Sequence, residues 1–217
     1  MWPAHSTRYQ NHDRAPNVRA ASDAASPVTI RSAIRAEIAS IRPFDELEEA
    51  HRADALAWID SGAPLCRTAK PAIPAKHLVS YFAVVDGEHV LLVDHKSAQL
   101  WLPPGGHVEP GEHPRDTVAR ELNEELGLVA THDIGEPVMV TCTTTVGLTA
   151  GHVDVSLWYV VAADRNQSIR FDDQEFTRIG WFKATDVPLQ RSDPHMRRFL
   201  AKCKAREQVL CGNGSVG

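Results

Sequence analysis

Three glutamates, Glu121, Glu124 and Glu125, fall within the run Arg120-Glu121-Leu122-Asn123-Glu124-Glu125-Leu126. At i, i+3 and i+4 they share one face of a helix, so three carboxylates crowd one patch and repel one another unless something cationic lies among them. Oxygen ligands of that charge suit Mg²⁺ or Mn²⁺, and clustered acids can hold more than one such ion across a pyrophosphate. Just upstream, Gly105-Gly106 leaves the backbone open to the close approach of a ligand. Taken alone, a Glu-rich run is most often a solvated acidic face, and the residues around it have to decide.

The elements that must position these acids can be read from local patterns. Val118, Leu122 and Leu126 recur every four residues and predict the buried stripe of a helix that Pro114 opens. Gly127 ends it, because glycine adopts the left-handed cap conformation without penalty. His113 stands at the expected N-cap, where Ser, Thr or Asp would bond better. Before the helix, His77 to Val85 and His89 to Val93 flank Asp86-Gly87 and predict a β-hairpin. After it, Val138 to Val146, His152 to Ala162 and Ile179 to Phe182 are strand-like, and Pro194 to Val209 predicts a closing helix.

Gly106, Glu112, Arg120, Glu121, Leu122, Glu124, Glu125, Gly127 and Leu128 follow the spacing G-x₅-E-x₇-R-E-U-x-E-E-x-G-U, with U apolar. Over residues 106–128 this resembles the Nudix box at every defined position. The resemblance implies an α/β fold, a Nudix-like α/β/α sandwich around a mixed sheet, reached in layout from about residue 77 to 205. It implies hydrolysis of a phosphoanhydride bond in a nucleoside diphosphate-linked compound, with Mg²⁺ (or Mn²⁺) held by Glu121, Glu124, Glu125 and the Gly106 carbonyl. Glu112 and Arg120 would pair and brace the loop against the helix. The general base is either a box glutamate or a later carboxylate, for which Glu175 in Asp172-Asp173-Gln174-Glu175-Phe176 is the candidate. Substrate choice lies outside the box. The expected substrate is a nucleoside triphosphate, modified ones included, giving a monophosphate and pyrophosphate. The alternatives are a nucleotide-sugar or ADP-ribose pyrophosphatase, or a non-catalytic nucleotide-sensing module, against which the intact acid set argues.

Four further residues are candidates for contact with substrate. His107 adjoins Gly106 and could reach a phosphate. His152 and Asp154 alternate with Val153 and Val155 and so share one strand face; a surface polar face is the plainer reading. Trp101, like Trp158, could stack on a base, although a buried aromatic is the commoner role.

Composition narrows the classes of partner. The 217 residues carry a formal charge of −5, which gives no general attraction to DNA or RNA polymers. No apolar run approaches the roughly 20 residues needed to span a bilayer, and the expected location is cytoplasmic. Cys66, Cys142, Cys203 and Cys211 lack zinc-like spacing and read as reduced thiols. Residues 1–27 mix Pro, Ser, Asn and Ala without periodicity and read as a mobile tail. Residues 28–76 then form a two-helix extension with a Pro-rich connector, ahead of a main domain over 77–217. One helix is marked by Ile30, Ile34, Ile38 and Ile41, the other by Phe44, Leu47, Ala55, Trp58 and Ile59. These apolar stripes need a cover, either by folding back or through a homodimer; the sequence narrowly favours the homodimer.

Overall fold

A computed structural model describes residues 29–69, 73–130, 133–146 and 150–212, with side chains to residue 205. The expected tail over 1–27 lies outside the described residues. Two helices come first, α1 (Ile30–Ser40) and α2 (Glu46–Asp60). Each begins on a side-chain cap. Thr29 accepts from the Ser32 N–H, and Asp45 accepts from the Glu48 N–H at 2.9 Å while Glu48 Oε2 accepts from the Phe44 N–H at 2.7 Å.

The strands are β1 (Lys76–Asp86), β2 (His89–His95), β3 (Leu100–Leu102), β4 (Gly105–His107), β5 (Met139–Thr144), β6 (Val153–Ala162) and β7 (Phe176–Lys183). They form one mixed sheet in the order β3-β2-β1-β6-β5, with β4 also on β1 and β7 on β2. Only the β1–β6 pair is parallel among these pairings. The predicted hairpin is present, its Gly87 at φ 54° and Asp86 facing His89. The sequence reading did not foresee the three-residue strands β3 and β4, and it started β7 three residues late.

Alternation along β1 and β6 sends side chains to two cores. Leu78, Phe82, Val84, Val155, Leu157 and Tyr159 face one, under α3 (Pro114–Leu126). Ala83 and Trp158 face the other, under α4 (Met196–Gly212), whose Met196 and Phe199 are buried there.

Ile34, Ile38, Ile41, Ala55 and Ile59 belong to the first core, so α1 and α2 fold back on the domain's own sheet. The stripes that suggested a homodimer are covered within the chain. Ile30, Phe44 and Leu47 are the stripe members left exposed. α2 also covers the open edge of β5: the Cys142 N–H donates to His51 Nδ1 at 3.1 Å. Polar contacts fix the helices further, through Arg115–Glu37 at 2.6 Å, Arg198–Asp45 at 2.8 Å, and Lys202 on the fully buried Glu48.

Candidate active site

α3 carries the acids, and its ends explain why they sit where they do. Pro114 occupies the first turn and Gly127, at φ 61°, closes the last, its N–H on the Asn123 carbonyl and the Leu128 N–H on that of Leu122. His113 does cap the helix, its Nδ1 accepting from the Arg115 N–H at 3.2 Å, so the poorer cap type still satisfies one end donor. Burying Val118, Leu122 and Leu126 against the sheet turns Glu121 and Glu125 inward and leaves Glu124 exposed.

The glycine pair sits directly against this face. β4 pairs with β1 so that Gly106 lies opposite Ser80. A Cβ on Gly106 would stand 1.8 Å from Glu121 Oε1, so the glutamate fills the space that a side chain would take. The Gly105 N–H donates to Glu125 Oε2 at 3.0 Å. Glu112 and Arg120 pair as expected, with Arg120 Nε 3.0 Å from Glu112 Oε1 and its second nitrogen donating to Oε2 at 3.1 Å. The same guanidinium donates to Glu121 Oε1 at 2.7 Å, Glu124 Oε2 at 3.2 Å and the His107 carbonyl at 3.2 Å. It ties loop, strand and helix together.

The electrostatics match a cation-binding patch. Burial, then the charges of Glu121 and Glu175, push the Glu125 carboxyl up to about 9. Burial also raises Glu121 against the pull of Arg120, with Glu124 and Glu175 adding repulsion. Glu175 therefore lies within electrostatic reach of two box acids, at the start of β7. The residues fit a divalent metal: inward carboxylates raised by burial and by one another's charge, beside a backbone with no Cβ to exclude an ion.

These groups line a cavity of about 880 Å³, a volume suited to a nucleotide-sized ligand. Its other walls include Val79, Tyr81, Val93, Leu100 and Leu102. His107, His152 and Asp154 line it as well. Trp101 corrects the expectation for it: its ring is buried in the second core, 5.0 Å edge-on to Phe182, with Arg178 over its face at 5.1 Å. Leu100 and Leu102 supply the cavity wall on either side of it, because alternate strand residues face opposite ways. Trp158 is also core, its Nε1 donating to Thr141 Oγ1 at 3.0 Å. Sequence reasoning missed His77, fully buried and within 3.3 Å of Asp154. Only the parallel β1–β6 register, which sets His77 beside Asp154, could have pointed to it.

A mixed sheet thus lies between helical layers, with a glycine loop and an acid-bearing helix beside a nucleotide-sized cavity. The family model for the NUDIX domain matches residues 76–203, and the chain belongs to the Nudix hydrolase family, whose members hydrolyse phosphoanhydride bonds of nucleoside diphosphate-linked compounds. It is similar to the Nudix hydrolase YvcI of Bacillus subtilis (strain 168), 29% identical over 120 residues, which are 53% of this chain and 73% of that protein. It is also similar to the asymmetrical bis(5'-nucleosyl)-tetraphosphatase of Rattus norvegicus, 38% identical over 55 residues, only 25% of this chain and 37% of that protein. Among solved structures it resembles a MutT NUDIX hydrolase from Burkholderia pseudomallei, with a TM-score of 0.50 and 25% identity over 58% of this chain and 97% of that one.

Proposed function

We propose that this chain is a Mg²⁺- or Mn²⁺-dependent pyrophosphohydrolase whose substrate is a nucleoside triphosphate, modified ones included, giving a monophosphate and pyrophosphate. The observation that carries the reading is the convergence of Glu121, Glu124, Glu125 and Glu175 beside Gly106 at one end of the cavity. Glu121, Glu124 and Glu125, with the Gly106 carbonyl, would hold the metal. When bound, the ion offsets charge on the phosphate oxygens and makes a water more acidic.

The chain's own residues do the rest. Arg120 fixes Glu121 and, through Glu112, the loop that leads into α3. A carboxylate, either Glu175 or a box glutamate, takes the proton of the attacking water as the new P–O bond forms and the anhydride P–O bond breaks. Val79, Leu100 and Leu102 line the same cavity and give the nucleoside an apolar bed, so binding energy from the remote part orients the phosphates. A nucleotide sugar is the second reading, favoured by the cavity volume, which leaves room for a group beyond the diphosphate.

The intact acid set supports catalysis over a purely sensing role. A panel of nucleoside triphosphates, nucleotide sugars and ADP-ribose, incubated with Mg²⁺ and followed by chromatography, tests the assignment. Pyrophosphate release from triphosphates as the fastest reaction supports it; faster cleavage of the sugar-linked diphosphates moves the assignment to the second reading. Binding without turnover of any member would make the chain a sensing module.

A further inference from the structure

Four side chains that the proposed hydrolysis does not use converge at the wall of the same cavity, three of them lining it and His77 behind them. His77 opens β1, His107 ends β4, Asp154 lies on β6 and His152 just before it; one ligand-type atom from each falls within 4.8 Å of all the others. His77 is fully buried, and His152 and Asp154 expose little of their side chains. His77 Nε2, His107 Nε2 and Asp154 Oδ1 are buried without a hydrogen-bond partner.

The outer hydrogen bonds decide what the inner atoms present. His77 Nδ1 lies 2.8 Å from the Pro74 carbonyl, which can only accept, so that nitrogen carries the hydrogen. Thr145 Oγ1 lies 3.1 Å from His152 Nδ1 and 3.3 Å from the His152 carbonyl; when its hydrogen goes to the carbonyl, it accepts from Nδ1 and leaves the His152 Nε2 lone pair inward. Both imidazoles set their Nε2 at 3.3 Å from Asp154 Oδ1. The His77 lone pair and the carboxylate oxygen facing one another in a dry spot repel unless a proton or a metal ion lies between them.

We infer that His77, His107, His152 and Asp154 form a site for a second, imidazole-preferring metal ion, best matched by Zn²⁺ and separate from the carboxylate site on α3. Donors at about 2.0–2.1 Å around a tetrahedral ion are roughly 3.3 Å apart, the spacing of both Nε2 atoms from Asp154 Oδ1. The His77 ring centroid is 4.9 Å from that of His107 and 5.0 Å from that of His152, close to the roughly 5 Å expected of imidazoles sharing such an ion. Backbone and hydroxyl partners on the far ring nitrogens are the usual outer support of metal-binding histidines. Three imidazoles favour a transition metal over Mg²⁺, which takes oxygen ligands. An ion here clamps β4, which carries Gly106, to β1 and β6.

The test uses the full-length protein stripped with chelator and titrated with Zn²⁺ in the presence of excess Mg²⁺, with Co²⁺ as an optical reporter of geometry. The wild type should take up one tight equivalent of Zn²⁺, give a tetrahedral Co²⁺ spectrum and melt at a higher temperature with Zn²⁺. The triple variant E121Q/E124Q/E125Q should keep that equivalent. H152Q and D154N should lose it, weakening binding beyond the roughly 10–100-fold that removal of an outer partner costs, while T145V should fall within that range. Circular dichroism checks that each variant is folded, and D154N keeps both size and shape. A stripped wild type that takes up no Zn²⁺, or an equivalent lost in the triple variant but retained in H152Q and D154N, overturns the site.

Discussion

Gly106→Ala separates a role in placing Glu121 from a role in folding. An ideal Cβ at this position would stand 1.8 Å from Glu121 Oε1 and 2.3 Å from its Cδ, whereas contacts under 3.0 Å essentially never occur, so the carboxylate must retreat by about 1.2 Å. What moves is the end of a flexible side chain. Its cost is an off-rotamer angle of about 0.5–1.5 kcal/mol and part of one charge-assisted bond to Arg120, which keeps its two bonds to Glu112. A loss of about 1–3 kcal/mol lowers Tm by roughly 2–12 °C in a protein of this size and leaves the fold intact. A displacement of about 1 Å in a metal ligand can cost about 100-fold in rate, or about 2.7 kcal/mol of transition-state stabilisation. The adjacent Gly105→Ala should behave oppositely, because its Cβ would meet the Ser80 carbonyl oxygen at 2.2 Å, in the middle of the sheet, where nothing can retreat. Thermal melts by circular dichroism and steady-state kinetics on both variants check this. Gly106→Ala with near wild-type kcat, or one that unfolds as Gly105→Ala does, would refute the placement argument.

Three further outcomes are expected. Glu175→Gln should lower kcat more than it raises KM; if both constants stay near wild type, the base lies among the box glutamates and Glu175 is a surface charge. Deleting residues 1–27 should leave oligomeric state and activity unchanged, whereas deleting 1–62 strips Ile34, Ile38, Ile41 and Ile59 from the core. At about 1.5–3 kcal/mol for each, the longer deletion removes about as much as a whole domain's net stability. Light scattering should show aggregation, and a soluble, active 63–217 fragment would show that the helices have no part in the fold. Burial pushes the Asp193 carboxyl up to about 6, so the stability tied to its protonated form is present below about pH 4 and lost as pH rises through about 6. Asn can still accept from the His195 N–H, so Asp193→Asn should gain about 3 kcal/mol at pH 8, with the difference vanishing toward pH 4. Denaturant melts across that range check the sign, and a gain that grows toward low pH contradicts it.

Some of this molecule was legible from its sequence because local rules decide it. The α3 stripe, its Pro114 start and Gly127 stop, and the hairpin at Asp86-Gly87 all depend on residues within a few positions of one another. So does the Glu112–Arg120 brace once the box is recognised. β3 and β4 escaped because three-residue strands containing Gly or flanked by Pro have no periodicity, and exist only through their pairing with β2 and β1. Trp101 was misplaced because a single aromatic gives no sign of which strand face is buried. The fate of α1 and α2 was open because an apolar stripe says that it must be covered, not by what. His77 was invisible because its partners come from residues 107, 152 and 154, brought together by a parallel register that no local pattern encodes.

The central claim, metal-dependent hydrolysis at the α3 acids, is tested most directly by phosphorus NMR of a nucleoside triphosphate incubated with the wild type and Glu125→Gln, each with Mg²⁺ and with EDTA. Wild type with Mg²⁺ should convert the triphosphate to monophosphate and pyrophosphate. EDTA should stop the reaction and restored Mg²⁺ should restart it. Glu125→Gln should be slower by orders of magnitude while its circular dichroism matches wild type, since Gln at this buried position can still accept from the Gly105 N–H. Undiminished hydrolysis in EDTA, or a Glu125→Gln enzyme near the wild-type rate, would contradict the account.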